Sequence, residues 1–278
     1  MSTLIIGGTG TLGLQVAKQL LEKKERVTLF SRDELKQKIA KAALYNDPRL
    51  SFALGDVRDY QRVRSEVKYH DDIYLFAAQK HVDWCEYFPQ ETVKTNVLGA
   101  MNVVNAIRES GSTKRLTFSS TDKAVKPINS YGHSKALAEN IITESGANGD
   151  CVVRIARYGN VLGSRGSVVS AFADSLRLHN KISITDKDMT RFWIKIEDAA
   201  KFVIESEPGL NIPKIRASKV ADLARAIAAM LGIEDYGTDV IGLRPGEKLH
   251  EELVDGLASN TCEQYTHEEL KSLLIGLV

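Results

Sequence analysis

The chain has 278 residues, 43% of them hydrophobic, and its 37 Lys and Arg nearly cancel its 36 Asp and Glu. That length suits one large or two modest domains, and the balanced charge excludes broad attraction to nucleic acid or anionic membranes, so any anion site must be local. Cys85, Cys151 and Cys262 lie far apart with no Cys-x-x-Cys, which argues against disulfides or zinc and for a reducing cytoplasm; six scattered histidines offer no metal-ligand spacing, and no metal is expected.

The apolar start LIIGG is too short and glycine-rich for a signal or membrane segment. Thr3 to Ile6 read as a strand, and Leu12, Val16, Leu20 and Leu21 follow at helical spacing before a second strand, Arg26 to Phe30. Between strand and helix stands GGTGTLG, Gly7 to Gly13, which satisfies G-x-G-x-x-G through Gly8, Gly10 and Gly13. Glycines there let the backbone turn tightly and approach a pyrophosphate at a helix N-terminus. Gly7, Thr9, Gly10, Thr11, Leu12 and Gly13 are therefore candidate dinucleotide contacts. The second strand ends Phe30-Ser31-Arg32, with an acid, Asp33, only afterwards; Ser31 and Arg32 suit a 2′-phosphate, so NADP is expected over NAD, the alternative being that Arg32 is a solvated helix-start residue.

Further strands are expected near Leu50 to Leu54, Ile73 to Ala77, Arg115 to Ser119 and Cys151 to Ile155, with helices around 34–44, 59–67, 89–110 and 130–145. This alternation predicts an α/β fold, a Rossmann-type doubly wound parallel sheet. Asp56 and Val57 follow the third strand, where the Asp could reach an adenine amino group or simply cap a helix. Ala77, Ala78 and Lys80 follow the fourth and should lie along the cofactor; Asn96 is counted with them. After Asn160 the rhythm lapses: loops lead to Asp188 to Trp193, and a helix from Lys219 to Leu231 sits in a smaller C-terminal, substrate-binding region. The expected division is a cofactor domain at 1–160, rejoined by about 191–206, and a mainly substrate-binding region at 161–278.

The stretch from Ser119 to Lys135 reads SSTDKAVKPINSYGHSK. A Tyr-x-x-x-Lys pair on a helix sets a phenol and an ammonium on one face, a turn apart. A nearby positive charge lowers the phenol's pKa from about 10, making Tyr131 a usable base beside Lys135. Thr121, Asp122 and Lys123 could be a plain turn, but they stand at the end of a central strand, where the switch-point rule expects ligand. His133 lies two positions from Tyr131, off the catalytic face, and is left out.

With the glycine loop, Thr121 and the Tyr-Lys pair, the chain resembles the extended short-chain dehydrogenase/reductases. STDKA, NSYGHSK, RYGNVLGSRGSV from Arg157, TDKDMTRFW from Thr185 and RPGEKLHE from Arg244 are similar to the C5-inverting UDP-N-acetylglucosamine 4,6-dehydratases of bacterial surface-sugar synthesis, over residues 3 to about 252. The fourth strand departs from that pattern, ending Phe76-Ala77-Ala78-Gln79 where the family commonly has a His first, and the C-terminus is shorter.

The resemblance implies that Tyr131 takes the 4-hydroxyl proton as hydride passes from C4 to NADP, with Thr121 bonded to the same oxygen. The 4-ketone acidifies C5, water leaves from C6, the hydride returns at C6 and a proton at C5. Asp122 is read as the acid and Lys123 as the C5 base and proton donor; retaining relatives carry Asp-Glu there, so the Lys points to inversion. The resemblance also implies a UDP-sugar held by Lys80, Asn160, Arg165, Arg191, Arg244 and Glu247, a pyrophosphate being well suited to Arg forks. A homo-oligomer through the helices around 89–110 and 130–145 is expected, with no nucleic-acid or membrane partner. A nucleotide-sugar 4-epimerase, a C5-retaining dehydratase and a non-catalytic NADP-binding regulator are the alternatives.

Overall fold

A computed structural model describes residues 2–164 and 166–278. A parallel sheet forms from β1 (Ser2–Ile6), β2 (Arg26–Ser31), β3 (Leu50–Leu54), β4 (Asp72–Leu75), β5 (Arg115–Thr121) and β6 (Val152–Tyr158). Around it pack α1 (Thr11–Glu22), α2 (Glu34–Ala43), α3 (Tyr60–Val67), α4 (Val82–Tyr87), α5 (Pro89–Thr92), α6 (Gly99–Ser110) and α7 (Ser130–Ala147). Then come β7 (Asn160–Leu162), α8 (Val168–His179), β8 (Lys181–Ile184), β9 (Thr190–Lys195), α9 (Ile196–Glu205) and β10 (Gly209–Asn211). The chain closes with β11 (Ala217–Lys219), α10 (Val220–Met230), β12 (Gly237–Val240), β13 (Glu252–Val254), β14 (Leu257–Ala258) and α11 (His267–Leu274).

The main sheet runs β10-β6-β5-β4-β1-β2-β3, so strand order reverses between β1 and β4. Ligands bind such sheets beyond the strand C-termini at that reversal. Both faces are covered: Phe30, Val63, Ile73, Val103, Ile107, Leu116 and Ile142 fill one layer, and Ile5, Val16, Leu20, Leu29, Ala199 and Val203 the other. Central strands buried on both sides explain why β1 and β4 read as continuous apolar runs rather than alternating ones.

After Leu162 the chain builds its second core, around Val169, Phe172, Leu176, Trp193, Leu223 and Ile227. It returns to the sheet at α9, where Gln19 Nε2 donates to the Glu197 carbonyl at 3.0 Å, and at β10, which extends the sheet beside β6. Three elements lie where loops were expected: α4, α8 and β8. In α8, VVSAFADSLRLH, the buried Val169, Phe172, Ala173 and Leu176 recur at helical spacing. Its surroundings, rich in Gly and Ser, hid that pattern. Between α5 and α6 the helix widens into a π-helical turn over Val93–Leu98. Among the described residues, no helix is long and apolar enough to cross a membrane, and no cluster of His, Cys, Asp and Glu could hold a metal.

Candidate active site

A cleft of about 900 Å³ opens over the C-terminal ends of the sheet strands, lined from Gly7 and Ser31 at one end to Lys123, Asn160 and Trp193 at the other. The glycine turn forms its first wall. Gly7 sits at φ +89°, and a Cβ there would lie 2.5 Å from the Ala77 nitrogen; one on Gly13 would lie 2.7 Å from the Gly8 Cα. A side chain at either position would therefore collide with backbone. Helix α1 begins at Thr11 with Gly10 as N-cap, no side-chain cap and no acid in its first turn. An uncapped helix N-terminus reached through a glycine cradle fits a dinucleotide pyrophosphate. Thr9, Thr11 and Leu12 line the same wall, as do Ala77, Ala78 and the exposed Lys80.

At the end of β2, Ser31 and Arg32 both line the cleft. Arg32 is 63% exposed and 3.5 Å from Asp56, a long surface pairing that contributes little. The nearby acid is committed elsewhere: Asp33 caps α2 by accepting from the Lys36 N–H. Asp56 lines the cleft, yet Arg58 grips its carboxylate through Nε at 3.0 Å and NH2 at 2.7 Å. Burial alone would raise the Asp56 pKa, but the Arg58 bonds outweigh it and hold the carboxyl below its usual range. Val57 is buried, its methyl 2.9 Å from where a Cβ on Gly99 would stand.

Asn96 does not line the cleft. It is 3% exposed, accepts from the Gln79 N–H at 2.8 Å and donates to the Gln79 carbonyl and to Ser134 Oγ. Its bonds pin the loop after β4 to α7 from the π-helical turn.

The chemical end is built by β5, the turn after it and the first turns of α7. Asn129 caps α7, accepting from the Gly132 N–H and donating to the Gly246 carbonyl at 2.7 Å. Gly132 lets the helix press on the turn: a Cβ there would lie 2.4 Å from the Lys123 carbonyl. Tyr131 is thereby brought against Thr121. Burial pushes its phenol well above the usual pKa, a Thr121 hydrogen bond opposing this, while the charges of Asp122, Cys85 and Glu251 reinforce it. Lys135 is 4% exposed, donates to the Ser119 carbonyl at 2.7 Å and stands 3.8 Å from the centre of the Phe118 ring. Burial pulls its pKa down to about 7, with Glu139 opposing. The protein alone thus holds a neutral phenol beside a weakened ammonium, and the expected lowering of Tyr131 is not present.

Thr121 Oγ1 donates to Asp122 Oδ1 at 3.0 Å, and Lys123 Nζ donates to the same oxygen at 3.0 Å. Lys123 also reaches Asn160 Oδ1 at 3.3 Å. Thr121, Lys123, Tyr131, Lys135 and Asn160 all line the cleft. Asp122 does not: it is fully buried, its Oδ2 faces Gly159, and it meets the cleft only through Thr121 and Lys123. In this arrangement its Oδ1 holds those two side chains from behind the cleft wall. Burial alone would lower the Lys123 pKa, but the attraction of Asp122, then Glu251, outweighs it and keeps the ammonium charged above its usual range.

Arg191, Arg244 and Glu247 do not line this cleft either. Arg191 is 6% exposed and spends its guanidinium on the carbonyls of Thr190, Leu249 and Lys248. It braces the 248–249 segment against β9. Arg244 is exposed on the 241–247 loop, where Glu247 accepts from its backbone N–H. Arg165 lies outside the described residues. Unforeseen in the sequence, Tyr158 lines the cleft and shares a 2.5 Å hydrogen bond with Ser119; His81 and Trp84 stand along its rim.

A glycine-turn Rossmann sheet with Thr121 and a Tyr-x-x-x-Lys pair at its switch point defines the extended short-chain dehydrogenase/reductase class. Within it, the chain belongs to the polysaccharide biosynthesis protein family, whose model matches residues 3–272. It is 41% identical over 273 residues to a UDP-N-acetylglucosamine 4,6-dehydratase (inverting) of Campylobacter jejuni, covering 94% of this chain and 80% of that one. A protein of Rickettsia felis named UDP-glucose 4-epimerase is 37% identical over 90% of this chain and 76% of its own. The X-ray structure of Pen from Bacillus thuringiensis superposes with a TM-score of 0.92 at 31% identity, covering 99% of this chain and 97% of that one.

Proposed function

We propose that the protein is an NADP-dependent sugar-nucleotide 4,6-dehydratase that converts UDP-N-acetylglucosamine to a UDP-4-keto-6-deoxy sugar with inversion at C5. The observation that carries this reading is Lys123: a charged amine on the cleft wall, backed by a buried carboxylate and facing the same space as Tyr131. An epimerase needs a group to move the 4-hydroxyl proton and little more; a second proton-moving group beside it suits removal of water.

A bound nicotinamide dinucleotide would supply the acceptor for the C4 hydride, the hydride returned at C6 and a positive charge favouring the Tyr131 phenolate. The glycine cradle and α1 would hold its pyrophosphate, and Ser31 and Arg32 a 2′-phosphate. Tyr131 receives the proton of the sugar 4-hydroxyl and passes it on to solvent, because the product keeps its 4-ketone. Thr121 orients that oxygen once its hydroxyl turns from Asp122. Lys123 starts as an ammonium, gives a proton to the departing 6-hydroxyl as the C5 proton passes to it, then gives a proton to C5 when hydride returns at C6, and is recharged from solvent. Asn160, beside it, steadies Nζ. The Arg244–Glu247 loop, tied to α7 through Asn129, would meet the nucleotide.

Purified protein given NADP and UDP-N-acetylglucosamine in deuterated water tests this. Loss of one water, with deuterium at an inverted C5, is the expected product by mass and NMR. An isomer of unchanged mass selects the 4-epimerase, the activity named for the Rickettsia relative, and a retained C5 selects the other dehydratase.

A further inference from the structure

Glu251 is a buried carboxylate to which neither the motifs nor the mechanism assigns work. It is 2% exposed and absent from the cleft lining. Its Oε1 lies 3.4 Å from Lys123 Nζ and 4.0 Å from Arg191 Nε, and its Oε2 lies 3.6 Å from Lys248 Nζ while accepting no hydrogen bond. A carboxylate buried without full hydrogen bonding is costly to keep, so its neighbours must hold it there.

The backbone around it is fixed on every side. Glu251 N–H donates to Ser259 Oγ at 3.0 Å, and Ser259 N–H returns a bond to the Glu251 carbonyl at 2.8 Å. Lys248 Nζ donates to the Val125 carbonyl, beyond the catalytic turn, and Arg157 ties the Leu253 carbonyl to Glu139 of α7. The carboxylate is thus delivered by the C-terminal region to a set place behind the catalytic turn.

Four groups act on Lys123 Nζ, and Tyr131 lines the same cleft. Asp122 stands on its own turn, Glu251 comes from the C-terminal segment and Asn160 from β7, while Arg191 of β9 opposes the two anions. Asp122 and Asn160 hold Nζ by hydrogen bonds, only one of them to an anion; Glu251 adds a second anion from a different segment. We propose that Glu251 is a positioning residue which, with Asp122, clamps the Lys123 ammonium at the cleft wall and keeps it charged between turnovers. This rests on the reading of Lys123 as the group that moves the second proton.

Glu251→Gln removes the charge and keeps the shape. In the full-length protein, Lys123 labelling by acetic anhydride, followed by peptide mass against pH, should become about tenfold faster near neutrality, because losing an anion lowers the pKa of the ammonium. Lys135 labelling should not change. With UDP-N-acetylglucosamine, kcat should fall with KM little altered, and the alkaline limb of the pH profile should move to lower pH, since removing an anion makes the ammonium a stronger acid. Glu251→Asp, which keeps the charge at shorter reach, should lie between the two proteins and serves in its place if the Gln variant does not fold. Unchanged Lys123 labelling and an unchanged pH profile in both variants would overturn the clamp. Wild-type protein that does not dehydrate the sugar, with the labelling shift still present, would instead sink the dehydratase reading and leave the clamp standing.

Discussion

The two ends of the cleft are made differently. At the cofactor end, backbone does the work: Gly7 and Gly13 are needed because a Cβ would strike main chain, and the helix N-terminus is uncapped. At the chemical end the work falls to buried charges, with Lys123 between Asp122 and Glu251, and Lys135 under protein. A backbone site is specified within seven consecutive residues; a buried ion cluster requires partners from distant segments. The first should fail by losing ligand, the second by losing chemistry.

The sharpest break in that contrast is Tyr131→Phe, which removes one oxygen from the chemical end. Turnover should fall by about 10²- to 10⁴-fold, while cofactor affinity, followed by fluorescence titration, stays near that of the unchanged protein. Gly7→Val attacks the opposite end. The positive φ and the contact with Ala77 should cost about 1–3 kcal/mol in strain, visible in thermal unfolding, and cofactor binding should be lost before substrate binding. Gly132→Ala joins the two ends: its methyl meets the Lys123 carbonyl, so α7 must shift, at about 1–3 kcal/mol, and kcat should drop more than cofactor affinity.

Arg32→Ala gives a smaller, more selective effect. Loss of one charged contact to a 2′-phosphate, worth about 1.5–3 kcal/mol where fully formed, should weaken NADP about tenfold at this exposed site and leave NAD unchanged. The smallest effect is on stability against pH. Lys135 titrates near 7 when folded and near 10.5 when unfolded, so between those values the unfolded chain binds more protons and stability rises with pH. Thermal melts from pH 7 upward should show that rise, and Lys135→Met should flatten it.

This contrast also decides what could be read from the sequence. The alternation of strands and helices, the glycine turn and the Tyr131–Lys135 spacing are local or periodic, and the structure has them where the pattern put them. Asp122 was recognisable as a neighbour of the chemistry but not as a residue behind the wall, since facing depends on whether a turn points its side chain at Gly159 or at the cleft. Arg191 looked like a phosphate ligand because an Arg in a loop-flanked strand carries no mark of the carbonyls it will meet. Glu251 stood inside the RPGEKLHE segment without a role, 128 positions from Lys123, a separation that only folding closes. α8 went unread because flanking glycines and serines masked a four-residue apolar stripe.

The central claim is that hydride movement and water removal belong to separable parts of one cleft. Lys123→Met, loaded with NADP and mixed with UDP-N-acetylglucosamine in a stopped-flow absorbance experiment, tests it most directly. The account predicts that the variant binds cofactor normally, oxidises C4 and stalls with the reduced cofactor on the protein, releasing no dehydrated sugar. Dehydration at the wild-type rate would contradict it.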